Sequence, residues 1–159
     1  MFKKIIYIIA FLLLAAFNNA QTKFPFYYSQ NEMEFATPGT ILFGLGGYSN
    51  PAILTFAEQP NLFFTWNDRN ADFNDIDNYG LFASMPYMGF SMVDRKESGY
   101  SVVDYKLSTA YGSSSLSFGV SYGWSSGDVN YFERSNLLTL GAIYRPTNFL
   151  SFSLIGNLP

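Results

Sequence analysis

Two consecutive runs of alternating residues, 103–111 and 116–124, constrain the fold of this sequence more than any other feature. In the first run Val, Tyr, Leu, Thr and Tyr alternate with Asp104, Lys106, Ser108 and Ala110. In the second run Leu, Phe, Val, Tyr and Trp alternate with serine and glycine. A period of two residues predicts β-strands, and the Gly112-Ser113-Ser114 sequence between the runs predicts a hairpin.

Folding the two runs onto each other pairs Tyr111 with Leu116 and Lys106 with Ser121. One face of the hairpin is then apolar and aromatic, while the other is small and polar. A soluble sandwich buries its bulky face, whereas a barrel in lipid exposes that face on strands of about ten residues. The pattern therefore predicts an all-β, antiparallel, up-and-down outer-membrane-type barrel, or part of one, with Asp104, Lys106 and Ser108 facing the lumen. On this hypothesis arginine is costly at Val120 and better tolerated at Ser121.

The composition agrees with a membrane protein built from strands. Of the 159 residues, 19% are aromatic and 13% are charged, against about a quarter charged in soluble domains. No run after residue 20 is long and apolar enough for a membrane-spanning helix, so membrane residence would rely on strands. The absence of cysteine excludes disulfides, thiolate metal sites and a lipid anchor of the lipobox type. A net charge of −3 gives no indication of nucleic-acid binding.

Residues 1–20 have the pattern of a secretory signal peptide. Lys3 and Lys4 precede an apolar stretch over residues 5–16, and cleavage is predicted after Ala20. The alternative, an uncleaved membrane anchor, is disfavoured because the apolar run is short. We therefore expect an exported protein of the outer membrane, the alternative being a periplasmic or secreted one.

Residues 21–60 form a lead segment that is aromatic-rich and has no clean period. We interpret it as a plug or a lining of the barrel. Within it Asn50 can cap a short helix and Pro51 can occupy its first turn, while Pro60 limits the helix to about two turns. The glycines at 44–47 lack the G-x-G-x-x-G spacing of a dinucleotide loop.

Residues 61–159 contain seven strand candidates in a meander. Charged segments at 68–77, 95–99 and 125–134 alternate with tight turns, an asymmetry typical of outer-membrane barrels. Tyr105, Tyr122 and Trp124 fall near the loop end of their strands, and Tyr111 and Tyr144 fall near the turn end, which predicts two aromatic girdles. A secreted soluble β-sandwich is the alternative, since both folds share the alternation. The predicted strands are 61–67, 78–85, 88–94, 100–111, 115–124, 135–145 and 148–156.

Seven strands are one fewer than the smallest bacterial single-chain barrel, whose strand number is even. The sequence also stops at residues 156–159 without the aromatic terminal strand usual in such proteins. We therefore expect this sequence to be the first part of a longer protein.

Three stretches, 44–54, 121–128 and 134–141, carry a resemblance to a known family. They resemble the region ahead of the protease domains in long signal peptide peptidases of the SppA type from Bacteroidetes and Ignavibacteria relatives. The resemblance implies a non-catalytic region that anchors a downstream peptidase of the same protein, with the catalytic Ser and Lys beyond this sequence. The shorter element Asn50-Pro51-Ala52 resembles the amino-terminal signature of FadL-like and PorV-like outer-membrane proteins, which implies a transport or secretion barrel. The partners implied are the lipid bilayer and the downstream peptidase domain.

The residues themselves predict no catalytic, cofactor or metal site. Without histidine or cysteine, Ser-His and Cys-His nucleophiles and histidine metal sites are excluded. Lys106 and Ser108 share a face, but residues two apart on a strand lie roughly 6.5 to 7 Å apart, and a solvated lysine stays protonated. The acidic residues of 68–77 lack the order of an EF-hand, which favours a solvated loop; they are Asp68, Asp72, Asp75 and Asp77.

Overall fold

The computed structural model describes residue 45 and residues 47–66 and 78–159. One antiparallel sheet contains all of the described strands, each paired with the next along the chain. This confirms the predicted all-β, up-and-down architecture. Within the described ranges β1 and β7 are the two edges and do not pair with each other, so the sheet is not closed. The strands are β1 (Asn61–Trp66), β2 (Tyr79–Met85), β3 (Met88–Glu97), β4 (Tyr100–Gly112), β5 (Leu116–Gly127), β6 (Leu137–Thr147) and β7 (Leu150–Leu158).

The loop predicted at 95–99 is wrong, because β3 continues through these charged residues to Glu97. The connection to β4 is the two-residue turn Ser98-Gly99, with φ of 52° and 85°. Two positive φ values in succession match the turn whose twist suits a two-residue hairpin. β5 likewise extends to Gly127. The segment predicted as a loop at 68–77 lies outside the described residues.

The hairpin of β4 and β5 has a register two residues away from the predicted one. Tyr111 pairs with Phe118 rather than Leu116, and Lys106 lies opposite Gly123. The reason is the turn, in which the Ser113 amide donates to the Leu116 carbonyl oxygen at 2.8 Å. The Ser113 hydroxyl also accepts from the Ser115 and Leu116 amides at 3.3 Å each. A shift of two residues leaves every side chain on its predicted face.

The short helix before β1 is a 3-10 helix, Pro51–Phe56. The side-chain oxygen of Asn50 accepts a hydrogen bond from the Ala52 amide at 3.0 Å, which caps the first turn. The helix ends where the Ala57 amide donates to the Leu54 carbonyl oxygen. Among the described residues no helix is long and apolar enough to cross a membrane.

Residues 47–56, which we call the inner strap, lie against one face of the sheet, the inner face. At one side of this contact the sheet and the strap share a small apolar core of Leu45, Tyr48, Phe82 and Val93. The rings of Tyr48 and Phe82 meet edge to face with centroids 5.3 Å apart. The inner face also buries Val102 of β4 and Leu137 and Ile143 of β6, and its remaining positions carry mostly serine, glycine, threonine and charged side chains.

Candidate functional site

The opposite side of the sheet, the outer face, is apolar and exposed. The register aligns its side chains into continuous rows, such as Leu107, Tyr122, Leu138 and Leu158 across β4 to β7. Among the exposed large apolar side chains of these strands on this face, the exposed fraction runs from 36% for Leu138 to 84% for Tyr111. An exposed apolar surface of this extent marks an interaction surface in a protein. Other exposed members are Leu62, Phe64, Trp66, Leu116, Phe118, Leu140, Tyr144, Phe152 and Leu154.

The outward apolar residues of β5 span nearly the height of the apolar band of an outer-membrane barrel. From Leu116 to Trp124 the outward residues of β5 cover roughly 27 Å along the strand at about 3.4 Å per residue. A strand tilt of about 40° reduces this to roughly 21 Å, close to the ~25 Å apolar band of outer-membrane barrels. The charged side chains of the described strands lie on the inner face or at strand ends.

The residues predicted as aromatic girdles fall into two groups on the outer face. Near the loop end, the ring of Trp124 stacks on Tyr105 and on Tyr122, with centroids 5.5 and 6.1 Å apart. Near the turn end, Tyr144 stacks on Phe152 at 6.4 Å, and Tyr111 projects from the sheet. Aromatic side chains at two levels of one apolar face are the arrangement found at the two interfaces of a membrane.

The residues predicted to line a lumen lie on the inner face, but the expected solvation is wrong. Asp104, Lys106 and Ser108 are only 8%, 5% and 2% exposed. Ser121, expected to tolerate arginine, is 1% exposed. The inner strap covers Lys106 and Ser108, and the loop after β5 covers Asp104, where the sequence predicted a water-filled lumen.

Lys106 and Ser108 each bond to the backbone of the inner strap. The Lys106 ammonium donates to the Tyr48 carbonyl oxygen at 2.9 Å and lies 4.4 Å from the centroid of the Tyr48 ring. The Ser108 hydroxyl donates to the Gly47 carbonyl oxygen at 3.5 Å. Because the two side chains engage different carbonyl groups, the geometry gives no nucleophile–base contact between them.

The inner strap lies closest to the sheet over Gly119 and Gly141, which are paired directly across β5 and β6. A Cβ atom added at Gly119 would overlap the backbone of Pro51 and Ala52, and one added at Gly141 would overlap the side-chain oxygen of Asn50. Asn50 is fully buried and its amide nitrogen donates to the Ser153 hydroxyl on β7 at 2.9 Å. Because these two glycines have no side chain, Asn50-Pro51-Ala52 can pack directly against the backbone of β5 and β6.

A second polar cluster lies at the loop end of the inner face, around Asp104. Its carboxylate accepts from the Ser125 hydroxyl at 2.6 Å and from Arg134 Nε at 3.1 Å, and Arg95 Nε lies 3.7 Å from the other carboxylate oxygen. Both arginines had been predicted in loops. Arg95 continues the inward positions Ser91 and Val93 of β3, a signal that could have located it. Arg134 arrives from the loop after β5, which local periodicity could not reveal.

Among the described residues no group of acidic side chains is arranged to hold a metal ion. The aspartates of 68–77 and the predicted signal peptide lie outside the described residues. No protein-family model matches the sequence, and comparisons with curated proteins and with solved structures found no match. Fold and surface define an antiparallel β-meander with an apolar exposed face and a polar covered one.

Proposed function

We propose that this chain forms the wall of an outer-membrane β-barrel and serves as a non-catalytic membrane region. The observation that carries the proposal is the distribution of polarity between the two faces of the sheet. Large apolar side chains are exposed on the outer face, and buried charges such as Asp104 and Lys106 are on the inner face. Lipid solvates the first kind of surface, and the polar interior of a barrel contains the second kind.

The inverted polarity also weighs against a soluble sandwich. A sandwich buries the bulky face of each sheet against a second sheet about 10 Å away. All seven described strands belong to one sheet, and its bulky face carries no covering layer within the described ranges. Burial in a bilayer removes the same apolar surface from water without a second layer.

As its role in the whole protein, we propose that the wall anchors a downstream peptidase at the cell envelope, following the resemblance to SppA-type peptidases. A transport or secretion barrel of the FadL-like or PorV-like kind is the second candidate, and it follows the resemblance to those proteins. The element that carries that resemblance, Asn50-Pro51-Ala52, is buried on the inner face. A Ser-Lys peptidase domain encoded after Pro159 would support the anchor, and further alternating strands would support the barrel for transport.

Membrane fractionation tests the proposal. The protein, expressed with residues 1–20 in a Gram-negative host, is expected to remain in the outer-membrane pellet after a carbonate wash. Its band on gels should shift with heating, as it does for barrels that stay folded in cold detergent. A periplasmic soluble protein serves as the control for the wash. Recovery of the chain in the soluble periplasmic fraction would contradict the proposal.

A further inference from the structure

We propose that the inner strap is a template that fixes how strands β4 to β7 lie relative to one another. The proposal rests on the proposed function in one respect, namely that the outer face contacts lipid. Each strand of the sheet is hydrogen-bonded only to its neighbours. The strap, in contrast, contacts strands that are three positions apart, because Lys106 of β4 and Ser153 of β7 both bond to it.

The contacts of the strap extend beyond these two strands. The Tyr87 amide, in the turn between β2 and β3, donates to the Leu54 carbonyl oxygen at 3.2 Å. The Arg145 guanidinium of β6 lies 5.1 Å from the centroid of the Phe56 ring. Together with the Tyr48–Phe82 contact on β2, the strap therefore reaches both halves of the described sheet.

Packing on the outer face does not connect strands that are not neighbours in the sheet. In a bilayer, lipid tails cover that face, and tails are as apolar as the side chains they touch, so they do not favour one arrangement of strands over another. Specific tertiary packing of the described sheet is thus concentrated on the inner face. The strap packs there with Ala52 and Leu54 0% and 1% exposed.

The fit at Gly119 and Gly141 makes the template specific. At each glycine there is no room for a Cβ atom beneath the strap. The strap can therefore dock on the sheet in only one position. Gly123 provides a matched comparison, since it lies on the same strand and face as Gly119. A Cβ atom at Gly123 would have its nearest neighbours at 3.5 to 3.7 Å, which is ordinary contact. Alanine at Gly119 must displace the backbone of the strap, and alanine at Gly141 must displace the Asn50 side chain that caps its helix, whereas alanine at Gly123 need displace neither.

The natural absence of cysteine allows a single reporter on the strap. Ser49→Cys places a thiol at a position that is 7% exposed, and the maleimide labelling rate reports undocking. We expect labelling to rise about tenfold or more with Gly119→Ala or Gly141→Ala and to change less than about twofold with Gly123→Ala, as local opening predicts. In the same variants, hydrogen exchange of β6 and β7 should accelerate in parallel.

Two results would overturn the template. In one, the glycine variants expose the reporter while β6 and β7 keep their protection and the heat-dependent gel shift, which would make the strap a dispensable plug. In the other, no variant raises the labelling rate. If both glycine variants fail to fold, Asn50→Ala decides, because it alters the strap and leaves the wall unchanged. Faster hydrogen exchange of β7 in Asn50→Ala supports the template, and hydrogen exchange at the wild-type rate rejects it.

These outcomes are distinct from those of the fractionation experiment. A wild-type protein found in the soluble fraction would reject the membrane location. Strap labelling and hydrogen exchange would still be measurable on that protein in buffer, and they would decide the template separately.

Discussion

The ammonium group of Lys106 lies between the backbone and the ring of Tyr48, 2.9 Å from the carbonyl oxygen and 4.4 Å from the ring centroid. A charged side chain that is 5% exposed requires such partners, since burial removes its hydration. The carbonyl dipole and the ring face both stabilise a cation. This contact links β4 to the inner strap, so Lys106 has a structural role in the sheet.

Replacing Lys106 by Met should therefore destabilise the protein. The substitution keeps a flexible apolar stem but removes the hydrogen bond to Tyr48, and bonds to charged groups contribute about 1.5 to 3 kcal/mol. Urea unfolding in lipid vesicles should show a lower midpoint. Lys96→Met, at an exposed position of β3 where solvent weakens any charge contact, is the control and should lower the midpoint much less. Equal midpoints for the two variants would contradict the buried contact.

Arginine substitutions on the outer face test whether a bilayer surrounds it. Val120→Arg, at mid-height on β5, is expected to lower the free energy of unfolding by about 2 to 4 kcal/mol. Ser126→Arg lies on the same strand and face but near the loop end, where the expected loss is about 0 to 1 kcal/mol. The comparison uses unfolding in vesicles of one lipid composition. Equal losses at the two positions would argue against a bilayer around this face.

Asp104→Asn should loosen the loop after β5. The carboxylate accepts from Arg134, whose side chain is 2% exposed, and removing one partner of a buried ion pair costs about 3 to 5 kcal/mol. Limited proteolysis should cut residues 128–136 faster in this variant. Asp128→Asn is the control, because an amide oxygen can still accept the Ser101 amide hydrogen bond that Asp128 makes at 2.9 Å. Unchanged proteolysis of Asp104→Asn would contradict the assigned role.

The chain should show no peptidase activity. Lys106 and Ser108 bond to different carbonyl groups of the strap, and a Ser-Lys peptidase requires the lysine to activate the serine. The purified protein, assayed against unfolded casein and a signal-peptide mimic, is expected to be inert. Turnover that is lost in both Lys106→Met and Ser108→Ala would overturn this prediction, provided that both variants keep the wild-type gel shift.

The alternation of apolar and polar residues was sufficient to locate the seven strands and to assign the faces of β4 and β5. It was insufficient for register, because Tyr111 meets Phe118 rather than Leu116 through the hydrogen bonds of the Ser113 turn. It also misplaced Arg95, since charge alone suggested a loop. A register error of two residues preserves the face of every side chain, which is why the surface prediction did not depend on it.

The sequence by itself determined which side chains share a face, because successive residues of a strand point to opposite sides whatever the surrounding fold. Only the tertiary structure decided what each face contacts. Ser121 and Lys106 were predicted in a watery lumen, and the glycine at 119 carried no local signal of its role. The inner strap lies at least fifty residues from these positions along the chain, and its docking depends on the close approach of Pro51 and Ala52 to a residue without a Cβ atom. Such a contact between distant segments leaves no periodic trace in either of them.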